Sequence, residues 1–190
     1  MAKRFLLKNL LEIGEGLCRD ENVVIGYATE RIDQRQPLSL GASARLRSGT
    51  VIYEGSIIGD HFATGHNVVI REANRIGDRV RVWSNTVIDY GCRIGSNVLI
   101  HCNVYIAQFT VIEDEVFIAP GTMVANDKYP LDKENLKGPT ICRGARIGVN
   151  STILPGIRIG RDAMIGAGSV VTRDVPDGMT WYGVPARDAG

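Results

Sequence analysis

Aromatic residues make up only 6% of this 190-residue chain, so its core has to be aliphatic. Charge of neither sign dominates. The 22 Lys and Arg against 21 Asp and Glu leave a formal net charge of +1, which gives no electrostatic footprint for nucleic acid. No apolar run approaches the roughly 20 residues of a membrane span, so no membrane segment is expected. The start, Met1 to Leu11, has basic residues and leucines but neither a long apolar stretch nor a small-residue cleavage site, and reads as a short amphipathic helix rather than a signal peptide. The four cysteines, Cys18, Cys92, Cys102 and Cys142, lack C-x-x-C spacing and are expected as reduced thiols of a cytoplasmic protein.

What the chain does have is a period of six. Leu40, Leu46, Ile52, Ile58, Thr64, Ile70, Ile76, Val82 and so on to Val124 are aliphatic at every sixth residue, with Thr64 the one departure, and the series resumes from Ile141 to Val171. Neither a helix at 3.6 nor one unbroken strand at 2 has this period, whereas short parallel strands with a turn after each do. The third residue after each aliphatic is mostly Gly, Asn or Asp, from Gly49 and Asn67 to Asp162 and Asp174. Those residues take positive φ at least cost, so this column predicts the corners of a solenoid. The fourth residue is small or β-branched, as in Ala44, Thr86, Cys92 and Val98, and is expected to point inward beside the aliphatic.

The chain divides accordingly. Residues 1–39 lie outside the strict register and read as an appendage. Residues 40–176 read as the solenoid, with three hexads to a coil. A charged, Pro- and Gly-containing interruption at 127–140 predicts an external loop, of the kind that often carries function. The tail, 177–190, is expected to cap the open end of the stack.

The hexad array, together with Ile165-Gly166-Ala167-Gly168-Ser169-Val170-Val171, Asp174-Val175-Pro176 and Gly183-Val184-Pro185-Ala186-Arg187, resembles the hexapeptide-repeat acyltransferases. That resemblance implies an all-β solenoid, the left-handed parallel β-helix. It also implies acetyl-CoA as cosubstrate, no metal, and a homotrimer with active sites between neighbouring subunits. Met123-Val124-Ala125-Asn126-Asp127-Lys128-Tyr129-Pro130 is similar to a stretch of nucleotide-sugar N-acetyltransferases, and His66 matches the histidine of a Trp-His pair in such enzymes. The acceptor so implied is the amine of a nucleotide-linked amino sugar.

Asn126 stands where the hexads stop and the loop begins, and the resemblance gives it contact with the sugar amine. An amide suits that task because it both donates and accepts without charge. His101 and His66 are candidate proton acceptors, since an ammonium must lose a proton before it attacks a thioester. His101 falls 18 residues after Trp83 and so stacks on it. Glu72, Tyr90, Gln108 and Asn126, each 18 apart, form a polar column that either lines an acceptor cleft or is simply the polar outside of the prism. Trp83 and the loop residue Tyr129 join the candidate substrate-binding set. For the coenzyme, Arg143 and Arg161 stack on one outer edge, with Arg173 and Arg187 near in sequence. Forked guanidinium donors suit phosphate. The resemblance adds Gly166, Ala167 and Pro185. A second basic group, Arg71, Arg75, Arg79, Arg81 and Arg93, serves either a nucleotide diphosphate or salt bridges between subunits.

Three rivals stand beside this reading. The first is an O-acetyltransferase acting on a sugar or serine hydroxyl. The second is a zinc enzyme like the gamma-class carbonic anhydrases, although here the close pair His61 and His66 precedes the lone His101, the reverse of that pattern. The third is a non-catalytic scaffold.

Overall fold

The computed structural model of the chain describes residues 10–31, 35–131 and 134–190. Among them there is no helix, and so none long and apolar enough to cross a membrane. Short strands recur at the hexad spacing, and each pairs in parallel with a strand one coil on: Arg75 with Arg93, Arg81 with Leu99, Val87 with Tyr105. The strands form three sheets, of eight, ten and eight, which are the three faces of a prism. The first face carries Ile57–Ile58, Arg75–Ile76 and Arg93–Ile94. The second carries Ala63–Thr64, Arg81–Val82 and Leu99–Ile100. The third carries Val69–Ile70, Val87–Ile88 and Tyr105–Ile106. The faces meet at edges named here 1–2, 2–3 and 3–1. The fold is an all-β solenoid, a left-handed parallel β-helix, and its hand is opposite to that of nearly all parallel crossovers.

Both inward columns are buried. The second residue of each strand (Ile52, Ile70, Ile88, Ile100, Ile106) is fully covered, and each contributes about 1.5–3 kcal/mol by leaving water. The small column fills the corners, and its hydroxyls are satisfied by backbone there: Thr86 Oγ1 donates to His101 O and Thr110 Oγ1 to Ala107 O, both at 2.7 Å. Cys92 lies in the same column, and burial pushes its thiol up to about 12.

Every corner residue from Ser43 to Gly168 has positive φ, while Asp174, at the end of the stack, does not. Edge 1–2 is further held by a side-chain ladder. Asp60 accepts from Ala42 N at 2.7 Å, Asp78 from Asp60 N at 2.9 Å, and Asp114 from Ser96 N at 2.7 Å. Each carboxylate so caps an amide of the coil below it. The residue before each ladder group has to be small for the coils to close. A Cβ on Gly59 would lie 2.8 Å from Gly77 C and 2.9 Å from Asp78 N.

The stack begins earlier than the hexad register suggests. Leu11–Ile13, Cys18–Arg19 and Val24–Tyr27 are strands that pair with the first strands of the regular array, so residues 11–27 make one more coil. The expected appendage over 1–39 is corrected there, as is the helix at its Leu11 end, and the rest of that helix lies outside the described residues. The loop leaves after Asn126 and is pinned at its root, where Lys137 N donates to Asn126 O at 2.8 Å. At the far end Thr180–Gly183 adds to the second face, and Ala186–Asp188 folds back antiparallel to it, covering the last coil with Trp181.

Candidate active site

Edge 3–1, where the loop emerges, holds a continuous polar network. Its lower part is a set of paired charges. Glu72 is 1% exposed, bonded to Arg71 at 2.8 Å and to Arg31 at 3.2 Å, while Arg35 pairs with the equally buried Glu54. Arg31 also lies over the Tyr90 ring at 4.3 Å. Burial pushes the Glu72 carboxyl up, but hydrogen bonds from Arg71, from its own backbone and from Thr29, with the Arg71 charge, outweigh this and leave it below its ordinary value. Of the predicted column, then, Glu72 and Tyr90 are engaged within the chain, Glu72 completely.

The upper part is different in kind. Asp89 is buried, and among the described residues no cation pairs with it. It accepts from neutral donors only: Tyr105 Oη at 2.8 Å, the Tyr90 amide at 2.8 Å, and Gln108 Nε2. Burial, then the bond to Asp89, raises the Tyr105 phenol to about 12. A carboxylate only accepts, so Gln108 has to turn its NH₂ toward Asp89 and its carbonyl away. That carbonyl accepts from Asn126 Nδ2 at 2.5 Å. Asn126 is therefore oriented in turn, with its own Oδ1 left as an acceptor at the loop root. Asp89 and Tyr105 were not among the sequence candidates. They are 16 residues apart, off the 18-residue stacking interval, so no column reading joins them. Tyr129, on the loop, is 72% exposed, with Lys128 Nζ 5.6 Å from its ring.

The histidines stand elsewhere. His66, His101 and Trp83 are on edge 2–3, across the whole third face from Asn126, on the order of 15 Å at strand rise. His101 sits between Trp83 and Phe117, with ring centroids 6.3 and 6.4 Å away, and its Nδ1 is buried without a partner. His66 Nδ1 bonds Ser48 Oγ at 2.8 Å. His61 is on edge 1–2. No carboxylate orients any of these rings among the described residues. Above His101 the same edge carries Ala119, Gly148 and Gly166, and so opens into a shallow track toward the cap.

The coenzyme candidates are likewise divided. Arg143 and Arg161 stack on edge 1–2, where Arg143 is paired with Glu115 at 2.6 Å. Arg173 is on edge 3–1, its guanidinium over the Trp181 ring at 5.2 Å. Gly166 and Ala167 turn edge 2–3 directly beneath the cap, where a Cβ on Gly166 would lie 2.7 Å from Tyr182 Cβ, and Gly183 N donates to Ser169 Oγ at 3.1 Å. Pro185 and Arg187 belong to that cap, with Arg187 opposite Tyr182. Within one chain the four arginines do not converge.

The outward columns of the three faces differ. Arg75, Arg93 and Arg158 mark the first, and Arg45, Arg81 and Arg146 the second. The third, Val51, Val69, Val87, Tyr105, Met123, Thr152 and Val170, has no charge.

Two family models match the chain. The one described as bacterial transferase hexapeptide (six repeats) covers residues 91–126 and 138–173, and the hexapeptide repeat of succinyl-transferase covers 73–108. The chain belongs to the hexapeptide-repeat acyltransferase family. Solved structures similar to this family member include the soybean serine acetyltransferase apoenzyme, at 35% identity over 52% of this chain and 40% of that one, TM-score 0.48. Serine acetyltransferase of Brucella abortus strain S19 in complex with coenzyme A matches at 33% identity over 53% and 40%, TM-score 0.45. The polySia-specific acetyltransferase NeuO matches at 20% identity over 95% and 86%, TM-score 0.50, a likeness of fold. The chain spans about two fifths of the length of the serine acetyltransferases it matches. Among curated proteins there is no match.

Proposed function

We propose that the protein is an acetyl-CoA-dependent N-acetyltransferase, acting as a homotrimer on the amine of a nucleotide-linked amino sugar. The observation that carries this reading is the directed relay Asp89–Gln108–Asn126, which leaves Asn126 Oδ1 as an uncharged acceptor at the loop root. A neutral amine donates one N–H to that oxygen and so turns its lone pair outward, toward a thioester carbonyl. The attack forms the C–N bond, the C–S bond breaks, and the surplus amine proton leaves with the coenzyme thiolate or through His101 or His66. Asp89 stabilises positive charge that develops on nitrogen. When bound, acetyl-CoA supplies the activated acyl group.

Trimer formation supplies what one chain lacks. Three prisms that turn their uncharged third faces to a common axis set edge 3–1 of each copy against edge 2–3 of the next. Asn126 of one copy then faces His101 of its neighbour, with the Ala119–Gly148–Gly166 track as a path for the pantetheine arm toward Ala167, Pro185 and Arg187. Tyr90 and Tyr129 border the acceptor side. A hydroxyl acceptor is less well served, because it needs a strong base and no carboxylate supports the His101 ring.

The test is mass spectrometry of nucleotide amino sugars incubated with the protein and acetyl-CoA, followed by hydroxylamine. The expected product gains one acetyl group and keeps it, as an amide does. A product that loses its acetyl to hydroxylamine is an ester and contradicts the amine reading.

A further inference from the structure

A surface groove of about 710 Å³ crosses the second face, opposite edge 3–1 and outside the relay described above. Its shape follows from three successive coils. The middle coil presents only small outward residues, Ala63 and Gly65. Arg45 and Arg81 pair with Ala63 from the coils on either side. Arg47 and Trp83 flank Gly65 in the same way, 18 residues before and after it. The walls are thus two coil spacings apart, about 9.6 Å. His61 and Arg79 close one end at edge 1–2, and Trp83 stands at the other, on edge 2–3.

The charge of the groove is one-sided. Arg45 and Arg81 have no ion pair among the described residues, Arg79 Nε donates only to the Asn97 amide oxygen at 2.7 Å, and Arg47 shares one carboxylate, Asp20, at 3.3 Å. No carboxylate lines the groove. Like charges gathered without counter-charge repel, and an anion between them relieves this. His61 and Arg79 take left-handed corner positions, φ 57° and 54°, which backbone preference alone gives to Gly or Asn. Thr64, the departure from the aliphatic column, lies in the floor. Its hydroxyl bonds Thr50 Oγ1 at 2.8 Å and accepts from Arg47 N at 3.0 Å, fixing the backbone under that arginine.

We propose that this groove binds a nucleoside diphosphate, its phosphates between Arg45 and Arg81 and its ring against the indole of Trp83. Opposed guanidinium forks match paired phosphate oxygens, and the Trp83 ring, 40% exposed, offers a stacking face. Such a group comes either from a nucleotide-linked acceptor or from the adenosine diphosphate part of coenzyme A. The groove is assigned to the acceptor. Trp83 adjoins His101 on edge 2–3, so a sugar leaving the groove there enters the cleft faced by the next copy's Asn126, whereas the Gly166–Ala167 turn lies four coils further on. That assignment rests on the transfer reading; binding of the nucleotide does not.

Titration calorimetry of the full chain with UDP, dTDP, GDP and, separately, coenzyme A tests this. At least one nucleoside diphosphate binds, its affinity falls about ten- to a hundredfold in Arg45→Ala/Arg81→Ala, as loss of charge-assisted bonds predicts, and coenzyme A affinity stays unchanged. Trp83→Ala weakens the same nucleotide and abolishes its quenching of indole fluorescence. All three side chains are exposed, so the variants keep the fold, which thermal unfolding checks. Absence of nucleotide binding, unaltered affinity in the double variant, or loss of coenzyme A binding in it each overturns the proposal. Nucleotide binding without acetyl transfer leaves the groove standing and removes the transfer reading. Transfer with an acceptor KM unmoved in the double variant does the reverse.

Discussion

Asn126 and Gln108, one coil apart, share a 2.5 Å hydrogen bond in which the Asn126 amide is the donor. Its direction is set a further coil away, because the Asp89 carboxylate admits only the NH₂ end of Gln108. Asp89→Asn removes that constraint at nearly constant volume and lets Gln108 reverse. We expect kcat/KM for the amine acceptor to fall about a hundredfold, in the range for a misplaced charge-stabilising group, with the melting temperature nearly unchanged. Asn126→Ala should cost at least as much in kcat and, by leaving Gln108 Oε1 without its donor, about 1–3 kcal/mol in stability by urea unfolding.

The corner ladder predicts a purely structural effect. Gly59→Ala drives a methyl group against the Gly77–Asp78 backbone and displaces the carboxylate that caps Asp60 N. Overpacking of this kind costs about 1–3 kcal/mol. Urea unfolding should show that loss, and circular dichroism should still report strand.

Acid stability should depend on Glu72. Its folded carboxyl lies below the ordinary value of 4.5, so it stays ionised at pH values where the unfolded chain has begun to take up a proton. The stability it confers is complete above 4.5 and is lost as pH falls through the folded value. Between pH 6 and 3 the wild type should lose stability more steeply than Glu72→Gln, measured by denaturant midpoint. Parallel curves would show that the Arg71–Glu72 pair contributes nothing pH-dependent.

The hexad column told the fold because each flat side of the prism needs one inward aliphatic. The Gly, Asn and Asp column told the corners because each must turn through positive φ. The first coil stayed hidden for two physical reasons. Its inward positions are Ile13, Arg19 and Ile25, and Arg19 is tolerated because the end of the stack leaves that slot exposed. The insertion of residues 28–37 then shifts the phase before Leu38 and Leu40.

The site was legible only in part. Asn126 and Gln108 follow from the stacking interval, but a single-sequence column cannot show that Glu72 is spent on two arginines. Nor can it show that Arg143 and Arg173 occupy different edges of the prism. The groove on the second face was visible only as a scatter of arginines and one misplaced threonine. It takes the lateral register of three coils to line them up around Ala63.

The central claim is that the transfer site is divided between copies, with Asn126 from one and His101 from the next. Mixing Asn126→Ala and His101→Ala proteins, after unfolding and refolding together, tests it most directly. Each variant alone should be nearly inactive. In a randomly mixed trimer about a quarter of the interfaces regain both intact side chains, and activity should return to about that fraction of wild type. Activity that stays at the level of the parent variants, in a sample shown to contain mixed trimers, would contradict the claim.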